Sequence, residues 1–156
     1  IFLANYGENH DKTVICYENL CDSYIGMEEY DKAMQYAQKT LEISKRLYIN
    51  KNNQSLAYAY NNVSNIYNKM GQYDKSIEYM EQALQILKQI YGEEHHNIAV
   101  ANYNIGVLYK KMGDLPKSIE YSEKAVKMLV KFLPEDHPNV LLMKKNIDEM
   151  KEAVKQ

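Results

Sequence analysis

Asparagine is the residue type whose spacing most suggests binding chemistry in this sequence. Its amide carries a hydrogen-bond donor and an acceptor, so a row of amides can pair with the backbone of a bound segment whatever its side chains. Counted from Tyr58, amides recur three, four, seven and ten residues later, which places them on one helical face. Tyrosines beside the amides would anchor a ligand, and lysines at one end would bind an acidic ligand residue. The candidate partner-binding residues are Asn19, Tyr58, Asn61, Asn62, Asn65, Asn68, Lys69, Tyr103, Asn104, Lys110 and Lys111.

Residue types that commonly carry catalysis or bind metals are present but poorly placed for either. The histidines His10, His95, His96 and His137 all lie in predicted linkers and are interpreted as helix N-terminal caps and turn residues. Cys21 takes a position that small residues occupy elsewhere in the chain, so it is interpreted as a buried packing residue. No GxSxG, HExxH or GxxxxGK motif occurs. We therefore expect a protein that is not an enzyme, with no catalytic residue, no metal site and no cofactor.

Composition excludes several other classes of partner. The chain has 156 residues and a net charge of −2, whereas proteins that bind nucleic-acid phosphates usually carry a basic excess. No apolar run approaches the ~18 residues that cross a bilayer. Two cysteines without a CxxC motif favour a reducing, intracellular setting, and we expect a cytoplasmic protein. Neither nucleic acid nor a membrane is expected as a partner. Because the sequence begins with Ile1 rather than Met, an N-terminal targeting signal stays open.

A repeat of 42 to 43 residues must position these side chains. Four series of residues recur at this interval: Asn19, Asn62, Asn104 and Asn146; Tyr24, Tyr67 and Tyr109; Lys32, Lys75 and Lys117; Tyr36, Tyr79 and Tyr121. The tyrosine series are interpreted as packing residues. Apolar periodicity and turn residues predict helices over residues 12–25, 31–48, 55–69, 74–91, 97–111, 116–132 and 138–155.

Each repeat therefore consists of a first and a second helix joined by a turn. Gly71 and Gly113 are predicted at the turns of two repeats, while Glu28 occupies the equivalent position of the repeat before them. Gly106 is predicted where two helices pack closely. Asparagine is absent from the second helices and recurs in the first, although it is a poor helix former, so the first helices require a short amide.

The repeat resembles the tetratricopeptide repeat. The second unit carries the signature at Tyr67, Gly71, Tyr73, Ser76, Ala83 and Leu84, the third at Tyr109, Gly113, Leu115, Ser118 and Ala125, and the first at Tyr24, Tyr30, Ala33 and Leu41. The linkers 91–99 and 134–140 resemble those of the ~42-residue variant found in kinesin light chains. The resemblance implies an all-α fold, a right-handed superhelix (α-α solenoid) of about three and a half helix-turn-helix repeats.

The domain organisation follows from the repeat boundaries. We expect one domain over residues 1–156, composed of the end of a preceding repeat at 1–6, repeats at 10–48, 54–91 and 96–133, and a polar capping helix at 138–156. Some cochaperones of this family grip a carboxylate with lysine and asparagine of the first repeat. In this sequence Glu18 and Asp22 replace that pair and only Asn62 matches, so such a clamp is not expected.

The resemblance also implies a function. In this family the amide stripe of the first helices lines a concave groove that binds ligands, so we predict a non-enzymatic scaffold or adaptor for a protein or peptide partner. The alternative is a structural segment of a longer solenoid that mediates oligomerisation, or a regulatory module of a larger protein; self-association stays open. For the recurring series at Asn19, Asn62, Asn104 and Asn146, hydrogen bonds between adjacent repeats are an equally good interpretation.

Overall fold

A computed structural model of the protein describes residues 10–47 and 54–155. These residues form seven helices and no β-strand, as the sequence predicted. The helices are α1 (Asp11–Gly26), α2 (Tyr30–Leu47), α3 (Gln54–Lys69), α4 (Tyr73–Tyr91), α5 (His96–Met112), α6 (Leu115–Leu129) and α7 (Pro138–Val154). The predicted end of a preceding repeat, residues 1–6, and most of the linker after α2 lie outside the described residues.

The end of α6 is the one helix boundary that differs from its prediction by more than two residues. The helix stops at Leu129 rather than near residue 132, and the chain continues in turns. The amides of Phe132 and Leu133 both donate to the Leu129 carbonyl, at 3.0 and 2.9 Å. Pro134 follows; a proline has no amide hydrogen and disfavours helical geometry at the residue before it. Apolar periodicity continues past this point, so it overestimated the helix.

The chain divides into two compact units, the first ending at Ile86 and the second beginning at Leu87. In the first unit, buried residues of α1, α2 and α3 form one core: Cys21, Ala33, Ala37, Leu41, Ala59, Val63 and Ile66. Cys21 is fully buried, which confirms its interpretation as a packing residue. Small residues allow the helices to approach closely, and half-buried tyrosines surround them.

In the second unit, buried residues of α5, α6 and α7 form a core of their own: Ala99, Val126, Leu129, Val140, Ile147 and Met150. Helices α5 and α6 pack closely at Gly106, as predicted. A Cβ atom at this position would lie 2.7 Å from Ser122 Oγ and 3.1 Å from the Ser118 carbonyl oxygen. Ser118 Oγ also donates to the Gly106 carbonyl at 2.7 Å, so this contact holds the two helices together.

The periodic tyrosines pack within each repeat, between its first and second helix. Ring centres lie 5.4 to 5.5 Å apart in the three equivalent pairs Tyr24–Tyr36, Tyr67–Tyr79 and Tyr109–Tyr121. The periodic lysines Lys32, Lys75 and Lys117 place their ammonium groups 5.3, 5.2 and 5.0 Å from the first ring of each pair. Three of the recurring series therefore form one repeated cation–π and aromatic contact, and the packing role predicted for the tyrosines is confirmed.

The histidines before α1, α5 and α7 act as N-caps, as predicted. His10, His95 and His137 each accept, through Nδ1, a hydrogen bond from the backbone amide two residues further on, at 3.1, 3.1 and 3.2 Å. The ring of His95 also stacks on Tyr91, with centres 3.9 Å apart. These bonds satisfy amides that a helix start leaves unpaired.

The turn of the first repeat contains a strained residue. Glu28 adopts φ 60°, in the left-handed region, where the equivalent Gly71 and Gly113 adopt 73° and 83°. Glycine enters this region freely, whereas a side chain makes it unfavourable by about 1 kcal/mol. The repeat geometry thus requires the left-handed conformation even where the sequence does not supply glycine.

Replacing Glu28 with glycine is expected to stabilise the protein. The backbone strain disappears, and the greater freedom of glycine in the unfolded chain offsets part of the gain, which leaves about 0.5–1 kcal/mol. Urea denaturation followed by circular dichroism measures it. Glu28→Ala is the matched control, because it removes the carboxylate but keeps Cβ. Equal stability of the two variants would contradict the strain.

Candidate functional site

Four polar side chains of the first unit converge between the first helices of two successive repeats. Glu18 and Asp22 lie four residues apart on α1, and Tyr58 and Asn62 lie four residues apart on α3, so each pair shares a helical face. The Tyr58 hydroxyl donates to Asp22 Oδ2 at 2.7 Å and connects the two helices. The two carboxylates together with Tyr58 and Asn62 are called the acidic cluster.

The acidic cluster is partly shielded from water, and its charges repel each other. Burial raises the pKa of Glu18 to about 7, and the negative charge of Asp22 adds to the shift. Burial, followed by the hydrogen bond to Asp22, raises the pKa of the Tyr58 hydroxyl to about 12. The neighbouring Cys21 thiol also has its pKa raised to about 12, first by burial and then by Asp22 and Glu18. The Glu18 carboxylate therefore stands in an environment that disfavours negative charge.

Two polar atoms of the acidic cluster are buried without a hydrogen-bond partner among the described residues. They are Glu18 Oε1 and Asn62 Nδ2. Asn62 as a whole is only 5% exposed. The Asn62 amide lies beside the Tyr58 hydroxyl without the geometry of a full hydrogen bond, and this weaker contact lowers the pKa of that hydroxyl against the effects that raise it. An unpaired buried polar group destabilises a fold by about 1–3 kcal/mol, so native proteins usually satisfy such groups.

In the second unit, the residues predicted to bind a partner have different surroundings. Asn146 Nδ2 on α7 donates to Tyr103 Oη on α5 at 3.1 Å. This is a hydrogen bond between the first helices of successive repeats, one of the two roles that the sequence left open for the recurring asparagines. Tyr103 is half-buried, as is Asn104 next to it. The buried Asn102 turns back and donates to the Ile98 carbonyl at 2.8 Å, within its own helix.

The remaining candidate residues lie along the first helices at different depths. Asn19 is exposed on α1; Asn61, Asn65 and Asn68 are half-buried on α3. Lys69, Lys110 and Lys111 are exposed in the last turns of α3 and α5. The structure thus brings Tyr58 and Asn62 together with two acidic residues, while Tyr103 already bonds Asn146.

Glu18 and Asp22 were not among the residues predicted to bind a partner. The signal that identifies them was present in the repeat alignment. They occupy the positions of Asn61 and Asn65 in the next repeat, one step of 43 residues further on. Their four-residue spacing places Glu18 and Asp22 on one face of a helix, but it does not show that Tyr58 and Asn62 lie against them.

The described residues give no indication of a metal centre or a membrane span. No three His, Cys, Asp or Glu side chains among residues 10–47 and 54–155 are grouped so that they could hold a metal ion. In the same part of the chain, every helix is too short or too polar to traverse a bilayer.

Comparison with known proteins defines the family. Two models of the tetratricopeptide repeat match the sequence, one over residues 13–48 and the other over residues 55–130. Together they include most of the helices described above, and the chain belongs to the tetratricopeptide repeat family. Repeats of this family are generally not catalytic. No curated protein matches the sequence.

Solved structures with the same fold include proteins with kinesin light chain-like repeats. BtubC (BKLC) from P. vanneervenii aligns with a TM-score of 0.82 and 21% identity over 92% of this chain, which spans 57% of that protein. A kinesin light chain-type protein of Podosopora anserina with nearly identical TPR-like repeats gives 0.79 and 18% identity, over 94% of this chain and 69% of the other. The TPR2AB domain of yeast Sti1, in complex with pHSP90, gives 0.72 and 18% identity, over 94% and 50%. These similarities confirm the predicted all-α tetratricopeptide fold.

Proposed function

We propose that this protein is a non-catalytic interaction scaffold or adaptor that binds a peptide or partner segment along its first helices, the face that lines the concave groove in tetratricopeptide proteins. The observation that carries the proposal is the placement of the amides. All eleven candidate residues lie on α1, α3 and α5, and Asn62 Nδ2 is a buried donor without a partner among the described residues. A bound backbone carbonyl would satisfy it.

The repeat boundaries predicted from the sequence are part of the proposal. Repeats at 10–48, 54–91 and 96–133 and a capping helix at 138–156 each begin with a first helix, and in the three repeats that helix carries candidate residues. The complex of the yeast Sti1 TPR2AB domain with pHSP90 is an example of partner binding by this fold. The different residues at the clamp positions argue that the partner of this protein has other chemistry.

A pull-down from the source cells tests the proposal. Asn62→Leu/Asn65→Leu/Asn104→Leu should lose partners that the wild type retains, because leucine provides no hydrogen bond. The matched control is Gln38→Leu/Gln82→Leu/Gln85→Leu, which removes three exposed amides from the second helices. Circular dichroism checks that both variants fold. The proposal would be contradicted if the first variant retained its partners, or if both variants lost them equally.

One observation favours the alternative of a structural segment that associates with itself. Leu141 and Leu142 are adjacent on α7 and 52% and 56% exposed, so this helix is less polar than a capping helix should be. A second copy of the chain could cover them. Light scattering over a range of concentrations would show a mass that rises with concentration, and a constant monomeric mass would exclude this alternative.

A further inference from the structure

The acidic cluster has the properties of a binding site for one kind of residue. We propose that it binds a lysine or arginine residue of an extended partner peptide, with the cationic side chain on Glu18 and Asp22 and a main-chain carbonyl on Asn62 Nδ2. The inference rests on the proposed function, because it requires a peptide along the first helices of the first unit. It goes beyond that function because it specifies the charge of the ligand.

The first argument is the missing positive charge. Among residues 10–47 and 54–155, no salt bridge involves Glu18 or Asp22. The lysines of α2 are engaged elsewhere: Lys32, Lys39 and Lys45 lie over tyrosine rings at 5.2 to 5.7 Å. A half-buried carboxylate such as Glu18, beside the exposed Asp22, is stabilised by a cation, and here the cation must come from outside the described residues.

The second argument is the pair of unsatisfied buried atoms. Glu18 Oε1 needs a donor, and Asn62 Nδ2 needs an acceptor. A lysine or arginine residue within a peptide supplies both, since its side chain donates and its carbonyl accepts. A carboxylate ligand would satisfy Asn62 but would be repelled by Glu18 and Asp22. The site therefore selects an internal cationic residue and rejects an acidic C-terminus.

The Tyr58–Asp22 hydrogen bond makes the site preorganised. It fixes one oxygen of Asp22 and joins α1 to α3 at 2.7 Å, so the Asp22 carboxylate is held in place beside Glu18 before a ligand binds. Binding a charge in a prepared environment avoids the free-energy loss of arranging the groups first. Tyr58 is 40% exposed, so its ring can cover the methylene groups of the bound side chain.

Proton release distinguishes this mode of binding from nonspecific attraction. Among residues 10–47 and 54–155, the charged and titratable groups that face Glu18 are Asp22 and Cys21 on its own helix and Tyr58 on α3; no group of α2 contributes to its pKa shift. Because the pKa of Glu18 is about 7, a good part of this carboxyl is protonated near neutral pH. A bound cation favours the ionised form, so binding should expel a proton and tighten as the pH rises from about 6 to about 8.

The test uses blocked pentapeptides of alanine whose central residue is lysine, arginine, norleucine or glutamate. Their binding to the full chain is followed by amide chemical shifts. We expect the lysine and arginine peptides to shift the Asn62 side-chain amide and the backbone amides of Glu18 and Asp22. The norleucine peptide, which keeps the four side-chain carbons of lysine without the ammonium group, should bind at least about tenfold more weakly.

Variants separate this inference from the proposed function. Glu18→Gln/Asp22→Asn should weaken binding of the lysine peptide by about tenfold or more. The control Asp31→Asn/Glu78→Gln changes exposed positions of second helices and should leave that binding unchanged. Equal binding of lysine and norleucine peptides, or full binding by the acidic-cluster variant, would overturn the inference. A different result is that the lysine peptide binds no better than norleucine while the Asn62→Leu/Asn65→Leu/Asn104→Leu variant still loses its partners in the pull-down. That result would reject the cation site and leave the proposed function intact.

Discussion

Replacing Gly106 with valine is expected to destabilise the protein by about 3 kcal/mol or more. Even the first carbon of a side chain would lie 2.7 Å from Ser122 Oγ and 3.1 Å from the Ser118 carbonyl, and two of the nearest atoms belong to the backbone of α6. Valine adds two further carbons in this space. Helix α6 must move away, which also breaks the bond from Ser118 Oγ to the Gly106 carbonyl.

Urea denaturation followed by circular dichroism measures the effect. The matched control is Gly26→Val, because Gly26 also lies in a first helix but a Cβ atom there would meet nothing within 4 Å. That variant should change the free energy of unfolding by less than about 1 kcal/mol. Adding Ser122→Ala to Gly106→Val should restore only part of the stability, since the Ser118 carbonyl remains in the way. Equal stability of Gly106→Val and Gly26→Val would contradict the close contact.

The second large effect is the pH dependence that Glu18 introduces. Its pKa in the folded state is about 7, above the ordinary glutamate value of 4.5, so the folded state binds the proton more tightly than the unfolded chain does. Stability from this group is therefore fully present below about pH 4.5 and is lost as the pH rises towards 7. At about pH 8 the ionised carboxylate lowers the free energy of unfolding by about 2 kcal/mol, after allowance for its partial exposure to solvent.

Glu18→Gln should remove this loss, because a neutral amide keeps the shape of the protonated carboxyl. We expect the variant to be about 2 kcal/mol more stable than the wild type at about pH 8 and similar to it at about pH 4. Thermal or urea unfolding at several pH values measures the difference. The control Glu78→Gln, at an exposed position of α4, should follow the wild type at every pH. A constant difference between Glu18→Gln and the wild type would show that the carboxyl is not perturbed.

The same carboxylate connects stability and binding. A site that places two acids together without a cation makes the free protein less stable above neutral pH, and the missing charge is what a ligand would supply. Glu18→Gln/Asp22→Asn is therefore expected to gain stability and lose the cationic peptide. A purely structural role of these residues would predict that both properties decline together.

The sequence by itself determined the helices and the contacts that repeat. Apolar spacing, turn residues and the 42 to 43-residue interval located the helices to within two residues except at the end of α6. The recurrence of Tyr67 and Tyr79 at the repeat interval is enough to identify them as packing positions. The histidine caps were also predictable, because each cap depends only on residues next to it in the chain. Such features depend on residues close together in the chain, and they recur in each repeat.

The tertiary structure decided which polar residues face each other. Tyr58 and Asp22 are 36 residues apart, and Asn146 and Tyr103 are 43 apart; both contacts join different helices. Neighbours on one helix also differ: Asn62 is buried, whereas Asn61 is half-buried. A helical period gives the face of a side chain but not its depth, which depends on the helices packed against it. The charge environment of Glu18 therefore became evident only once α1 and α3 were in contact, since desolvation and the field of Asp22 are properties of the folded arrangement.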